Sequence, residues 1–285
     1  MEVVSQPPAP IRWPNDAQAA VSVTVAFESY EKVGHYHQGP RVPGKTSHLS
    51  LSFSDYGPKV GVWRLFDLLD RYEVRATFDI NGKAAHEQPV IVREMAERGH
   101  ETAGHGWAND LPPDDDDPEA EQHDIRATIE AIEAASGTRP VGWVSPGSRG
   151  TRRTLEFLVA EGMRWSGDDA SADVPFVKTV GGKRIAIVPR INFASNDLIV
   201  WLRPSHAPST YYEGFKEAFD WVYREGERGN PLWAELLLHS DMGTRPPLIN
   251  AFERALAYAK SHNGIWFARR GDLAEWALSQ YAEEP

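Results

Sequence analysis

Apolar runs of strand length alternate with helix-length amphipathic segments along nearly the whole of this 285-residue chain, and most of the strand-like runs end in a polar group. Glu28 ends the run 21–27, Asp79 and Asn81 end 74–80, and His105 ends 100–104. Ser145 ends 141–144, Asp168 follows 163–167, Asn192 follows 184–190 and His239 ends 232–238. Strands that alternate with helices pair in parallel, because each helix carries the chain back to start the next strand in the same direction. In a βα barrel the C-terminal ends of the strands share one face, and the chemistry is found there. No glycine-rich phosphate loop follows the first strand, which favours a barrel over an open dinucleotide-binding sheet. The predicted fold class is therefore α/β, a barrel of alternating strands and helices.

The helical segments are 58–72, with an apolar stripe through Val60, Trp63, Phe66 and Leu69, then 88–98, 119–135, 152–161, 211–228, 248–262 and 272–281. Pro7, Pro8, Pro10 and Pro14 favour an extended arm over residues 1–18, and 19–285 reads as one barrel domain without an internal linker. The long segment 28–57, rich in Gly, His, Ser and Pro, is expected to be a lid or a binding loop.

The net charge of −11 disfavours nucleic acid or an anionic membrane as a partner. The absence of cysteine removes disulfides, thiolate catalysis and Cys-ligated zinc from consideration. Residues 1–14 lack the charged start and apolar core of an export signal, and no later stretch is long and apolar enough to span a bilayer, so a cytoplasmic protein is expected. Ten tryptophans suggest a pocket lining or a subunit interface.

Glu28 can act as a base or bind a metal, with a loop charge as the ordinary alternative. His105 lies between two glycines that allow a sharp turn and expose its ring, beside Trp107, and can move protons or ligate a metal. His239, at the end of an apolar strand, suits a general acid, with Asp241 and Arg245 near enough to orient it or to bind substrate; a loop salt bridge is an equal reading of those two. Asn196 and Asp197 fit a substrate amide or an Asx turn equally well. Asp114–Asp117 read as a solvated loop, and His35 and His37 as a weak metal-like pair.

The ordered set Tyr56-Gly57, Gly61-Val62-Trp63-Arg64-Leu65, Ala76-Thr77-Phe78, Arg98-Gly99-His100-Glu101, His105-Gly106-Trp107, Arg139-Pro140-Val141-Gly142-Trp143, Leu238-His239 and Trp266-Phe267-Ala268 resembles the polysaccharide deacetylase (NodB-homology) superfamily. Asn192-Phe193-Ala194-Ser195-Asn196-Asp197-Leu198 and Arg269-Arg270-Gly271-Asp272 resemble its cofactor-independent allantoinase branch, which is related to cyclic-imide hydrolases. The resemblance implies a distorted (β/α)7-type barrel and, with the tryptophans, a homo-oligomer, dimer or tetramer. It also exposes departures. Ala26 falls where metal-dependent members carry a basic aspartate, Glu28 falls on a ligand position, and Asn109 replaces a second histidine. Asn is a poor zinc ligand, so no tightly bound cofactor is expected; a weakly held divalent cation (zinc) on Glu28 and His105 is the alternative.

The function expected is hydrolysis of a non-peptide amide C–N bond in a small polar substrate, a cyclic ureide or imide among the candidates. Glu28 and His105 activate water and His239 is the acid. Trp107, Asn109, Ser145, Asn196, Asp197, Asp241 and Arg245 contact the substrate. The rival readings are a metal-dependent carbohydrate or peptidoglycan N-deacetylase and an inactive barrel used for binding.

Overall fold

The computed structural model describes residues 11–32, 34, 48–192, 195–201 and 207–281. Residues 33 and 35–47 of the segment 28–57, His35 and His37 among them, and the first ten residues of the arm lie outside them. Strand β1 (Ala19–Phe27) is buried throughout, as expected of the central strand of a sheet covered on both faces. One edge of β1 pairs along its length with β8 (Leu232–His239). The other is shared by β9 (Ile265–Phe267), beside Ala19–Val21, and β2 (Thr77–Ile80), beside Thr24–Phe27. From β2 the sheet runs in parallel through β3 (Glu101–Gly104), β4 (Gly142–Trp143) and β5 (Trp165–Ser166) to β7 (Lys183–Ile187).

After β7 the chain crosses to the free edge of β8, where Asn196 bridges to Leu237 in parallel. The seven parallel strands from β7 to β8, with β9 beside the start of β1, thus form a curled barrel that is open between β7 and β8 apart from this contact. That agrees with the expected distorted (β/α)7 arrangement. One strand was not expected. β6 (Phe176–Val180) joins β7 as an antiparallel hairpin across Gly181-Gly182, both at positive φ, the backbone a two-residue hairpin turn requires.

Helices pack outside the ring. α2 (Val62–Arg71) buries Leu65, Phe66 and Leu69; Phe66 and Leu69 belong to the predicted stripe, whereas its other two members, Val60 and Trp63, are exposed. α4 (Pro89–Glu97), α5 (Pro118–Ser136), α8 (Ser209–Glu227) and α9 (Pro246–Lys260) continue the apolar layer. Shorter helices, α1 (His48–Ser54), α3 (Gly82–Glu87), α6 (Thr154–Ala160) and α7 (Asp197–Trp201), stand between them. The last helix, α10 (Arg270–Gln280), is started by Asp272, whose carboxylate accepts from the Arg269 backbone N–H.

Several tryptophans expected at a pocket or interface instead fill the core. Trp13 packs against Trp276 with ring centroids 4.3 Å apart and planes tilted by 55°, and donates to the Leu232 carbonyl. Trp143, Trp165 and Trp233 are fully buried, whereas Trp221 and Trp63 remain exposed.

Gly142 shows how tightly the layers fit. A methyl group there would lie 1.9 Å from the Trp165 indole, which is itself immobilised in the core. Gly142→Ala is therefore expected to cost about 1–3 kcal/mol of stability by overpacking, read as a lower denaturation midpoint; an unchanged midpoint would mean that β4 and β5 can move apart freely.

Candidate active site

Ala26 of β1 is in register with Asp79 of β2 on one side and His239 of β8 on the other. Asp79 is in turn level with Ala103 of β3. Because paired parallel residues present their side chains to the same face, Ala26, Asp79 and His239 open into one space, the barrel interior. Two residues further along β1 and β3, one level nearer the mouth, stand Glu28 and His105.

Glu28 Oε1 lies 3.2 Å from His105 Nε2, and Oε2 accepts from the Tyr30 hydroxyl at 2.6 Å. His105 Nδ1 is 2.7 Å from the Val144 carbonyl, which can only accept, so Nδ1 carries hydrogen and Nε2 faces Glu28. Asn81 fixes the turn that carries His105: its amide donates to the carbonyls of His105 and Gly106, and its oxygen accepts from Ser29 N–H. Gly106 follows at φ 67°, a conformation suited to glycine.

His239 Nε2 is 4.0 Å from Glu28 Oε1. Its Nδ1 is 2.7 Å from Asp197 Oδ1, while Asp197 Oδ2 accepts from the His239 backbone N–H at 2.8 Å. Asp197 thereby fixes both the orientation of the ring and the tautomer, and leaves Nε2 facing the cavity. Gly243 makes room for this contact, since a methyl group there would lie 2.2 Å from Asp197 Oδ2.

Glu28, His105, His239, Asp79, Arg190 and Arg270 line a common cavity of about 80 Å3, and Asn109, Asn192 and Asn196 complete its polar wall. Asn196 also makes the turn: its side chain accepts from the Leu198 N–H. Of the expected substrate contacts, Asn109 and Asn196 therefore reach the cavity. Asp197 serves His239 from behind. Four others are held elsewhere. Trp107 packs over Gly82 at the start of α3 and gives its backbone N–H to Asp124. The Ser145 hydroxyl donates to Asp168 at 2.6 Å and accepts from the Trp143 indole. Arg245 lies on the rings of Phe53 and Tyr56 at 3.9 and 4.1 Å and donates to the carbonyls of Asp241 and Phe53, so it is used to hold α1 onto the loop after β8. Asp241 is buried close enough to Tyr30 for its charge to oppose ionisation of that phenol.

Sequence reasoning passed over the floor of the cavity. Arg270, at the start of α10, is 2% exposed, with its guanidinium 5.2 Å over Trp165. It lies 3.4 Å from Glu235 and 3.9 Å from Asp79 and donates to the Val188 carbonyl. Glu235, inside β8, also accepts from Thr24 and Asn192 at 2.6 and 2.7 Å. A charged residue inside an otherwise apolar strand, and two arginines directly after β9, are the signals for this network.

Burial pushes the Asp79 carboxyl up to about 6, although the charges of Arg270 and His105 favour its ionised form. For His105 burial opposes the charged form, but the hydrogen bond and charge of Glu28, together with Asp79, outweigh it and hold the imidazole above its ordinary value.

Glu28 Oε1 and His105 Nε2 supply two adjacent donors, with His239 Nε2 4.0 Å from Glu28 Oε1, whereas a catalytic zinc takes three protein ligands at about 2.0–2.2 Å. Among the described residues no three His, Asp or Glu side chains converge as a metal site.

Comparison with known proteins agrees with this architecture. Residues 41–165 match the polysaccharide deacetylase family. A Schizosaccharomyces pombe protein described as a polysaccharide deacetylase is 26% identical over 298 residues, which cover 92% of this chain and 91% of that one. A Pseudomonas aeruginosa PAO1 crystal structure, likewise described as a polysaccharide deacetylase, superposes with a TM-score of 0.86 at 26% identity and covers 95% of both chains. The crystal structure of PuuE allantoinase superposes with a TM-score of 0.87 at 24% identity over 97% of this chain and 96% of that one, a likeness of fold.

The raised Asp79 carboxyl has a stability consequence. A group whose folded value lies above its unfolded one contributes stability that is present below the unfolded value, near 3.8, and lost as pH rises through about 6. Asp79→Asn is thus expected to gain stability relative to the parent between pH 4 and 7.5, by about 1–3 kcal/mol. Chemical denaturation at the two pH values reads this, and a difference that does not change with pH would contradict the buried, raised carboxyl.

Proposed function

We propose that this chain is a hydrolase acting on C–N bonds, in keeping with its match to the polysaccharide deacetylase family over residues 41–165, and that it cleaves the amide bond of a small polar substrate of the cyclic ureide or imide class. The observation that carries this reading is the convergence of Glu28, His105 and the Asp197-steered His239 on one cavity of about 80 Å3. A space of that size suits a compact ring, and its wall offers both acceptors and donors to the paired N–H and C=O groups of such a ring.

In the proposed reaction a water beside Glu28 attacks the carbonyl carbon, and Glu28 takes the proton that the water loses. His105, hydrogen-bonded to Glu28 and carrying positive charge when protonated, aligns that carboxylate and stabilises the negative charge that develops on the carbonyl oxygen. As the C–N bond breaks, the electron pair goes to nitrogen and Nε2 of the His239 imidazolium supplies its proton. Asp197 stabilises that imidazolium and keeps Nε2 pointed into the cavity. No step requires a metal.

A second reading, a metal-dependent carbohydrate N-deacetylase, has one observation in its favour. A hydroxyl-rich hollow lined by Thr151, Thr154 and Ser166 adjoins the cavity at Ser148 and could hold further sugar units.

On any amide or imide that the parent hydrolyses, His239→Ala is expected to lower turnover by about 10²–10⁴-fold with little change in KM, because an acid acts mainly in the transition state. Glu28→Gln should be at least as damaging; near-normal turnover of that variant would move water activation elsewhere. Turnover is also expected to survive exhaustive dialysis against chelator. Loss of activity on chelation, restored by zinc, would favour the second reading.

A further inference from the structure

Asp79 is 3% exposed and lines the cavity, yet its Oδ1 accepts no hydrogen bond from any described residue. Oδ2 has only the distant Arg270 guanidinium, at 3.9 Å, among the described residues. A buried carboxylate oxygen without a donor is costly, and native structures rarely retain one without a use. Its position suggests that use. Asp79 and His239 flank Ala26 in the register, so their Cα atoms stand two strand spacings apart, roughly 10 Å. Ala26 puts only a methyl group between them. A planar amide nitrogen entering past Glu28 would lie between an acceptor, the Asp79 carboxylate, and a donor, His239 Nε2.

We propose that Asp79 reads the N–H of the scissile nitrogen, so that the enzyme selects substrates carrying that hydrogen and rejects their N-alkylated counterparts. This deepens the amide-hydrolase reading above and rests on it. By accepting the N–H from one side, Asp79 would turn the nitrogen lone pair toward His239 on the other, where the proton is delivered as the bond breaks. Substrate choice and leaving-group protonation would then depend on the same two in-register residues. A site built around a buried polar group rejects a ligand that cannot satisfy it far more strongly than an apolar pocket rejects a missing methyl.

Succinimide and N-methylsuccinimide are suitable probes, since they differ only in this hydrogen and its replacement. The parent protein is expected to prefer succinimide by at least about 10²-fold in kcat/KM. Asp79→Ala should reduce the preference below about tenfold, whereas Asp79→Asn, whose side-chain oxygen still accepts, should retain most of it. An unchanged preference in Asp79→Ala would overturn the proposal. Binding of the two probes, followed by ligand-observed NMR, separates this outcome from failure of the hydrolase reading. Selective binding of succinimide that Asp79→Ala abolishes, without turnover, would support the Asp79 contact and count against these imides as substrates. No selectivity, whether both probes bind or neither does, would overturn the contact itself.

Discussion

Parallel pairing of β1 with β2 and β8 determines where the cavity-facing groups Asp79, Glu28 and His239 stand. The pairing puts Asp79, Ala26 and His239 at one level, and the period-two alternation of a strand puts Glu28 one level closer to the mouth. A one-residue slip of β8 would turn His239 away from the cavity and bring an apolar neighbour in. The long, fully buried β1, with eight paired positions against β8, protects that register and holds the candidate site in the centre of the sheet.

The interior holds more charge than an ordinary core would accept. Arg270, Glu235 and Asp79 are all nearly inaccessible to water, and isolated charges in such surroundings would cost several kcal/mol each. Glu235 is offset by Arg270, Thr24 and Asn192, and Arg270 additionally by the Val188 carbonyl and the face of Trp165. Asp79 is the less completely compensated member, and its raised carboxyl reflects that. Less complete compensation at a cavity wall is the situation in which a ligand can supply the missing partner.

Much of the fold was legible because periodicity and strand-end residues report on the barrel directly. Glu28, His105 and His239 could be singled out for the same reason: each follows an apolar run at the predicted C-terminal face. What was not legible depended on contacts distant in sequence. Nothing local distinguishes an aspartate that will orient a histidine 42 residues away from one that touches substrate, so Asp197 was assigned the wrong neighbour. Ser145 follows β4 and Arg245 stands just before α9 in the loop after β8, but Asp168 and the rings of Phe53 and Tyr56 claim them first. Arg270 enters the barrel from a helix start, which a search of strand ends does not reach. The β6–β7 hairpin was signalled by Gly181-Gly182 and was missed because the stretch between the strands at 163–167 and 184–190 was assigned no element.

The dependence of Glu28 and His239 on one another is the most direct consequence of placing them on a single cavity. A double-mutant cycle in kcat between Glu28→Gln and His239→Ala measures it. If the two side chains serve one reaction as base and acid, the double variant should be scarcely slower than the slower single variant, because groups acting as a unit are strongly non-additive. If the two losses instead multiply, Glu28 and His239 act independently, and a shared acid–base site built on the register of β1 and β8 is contradicted.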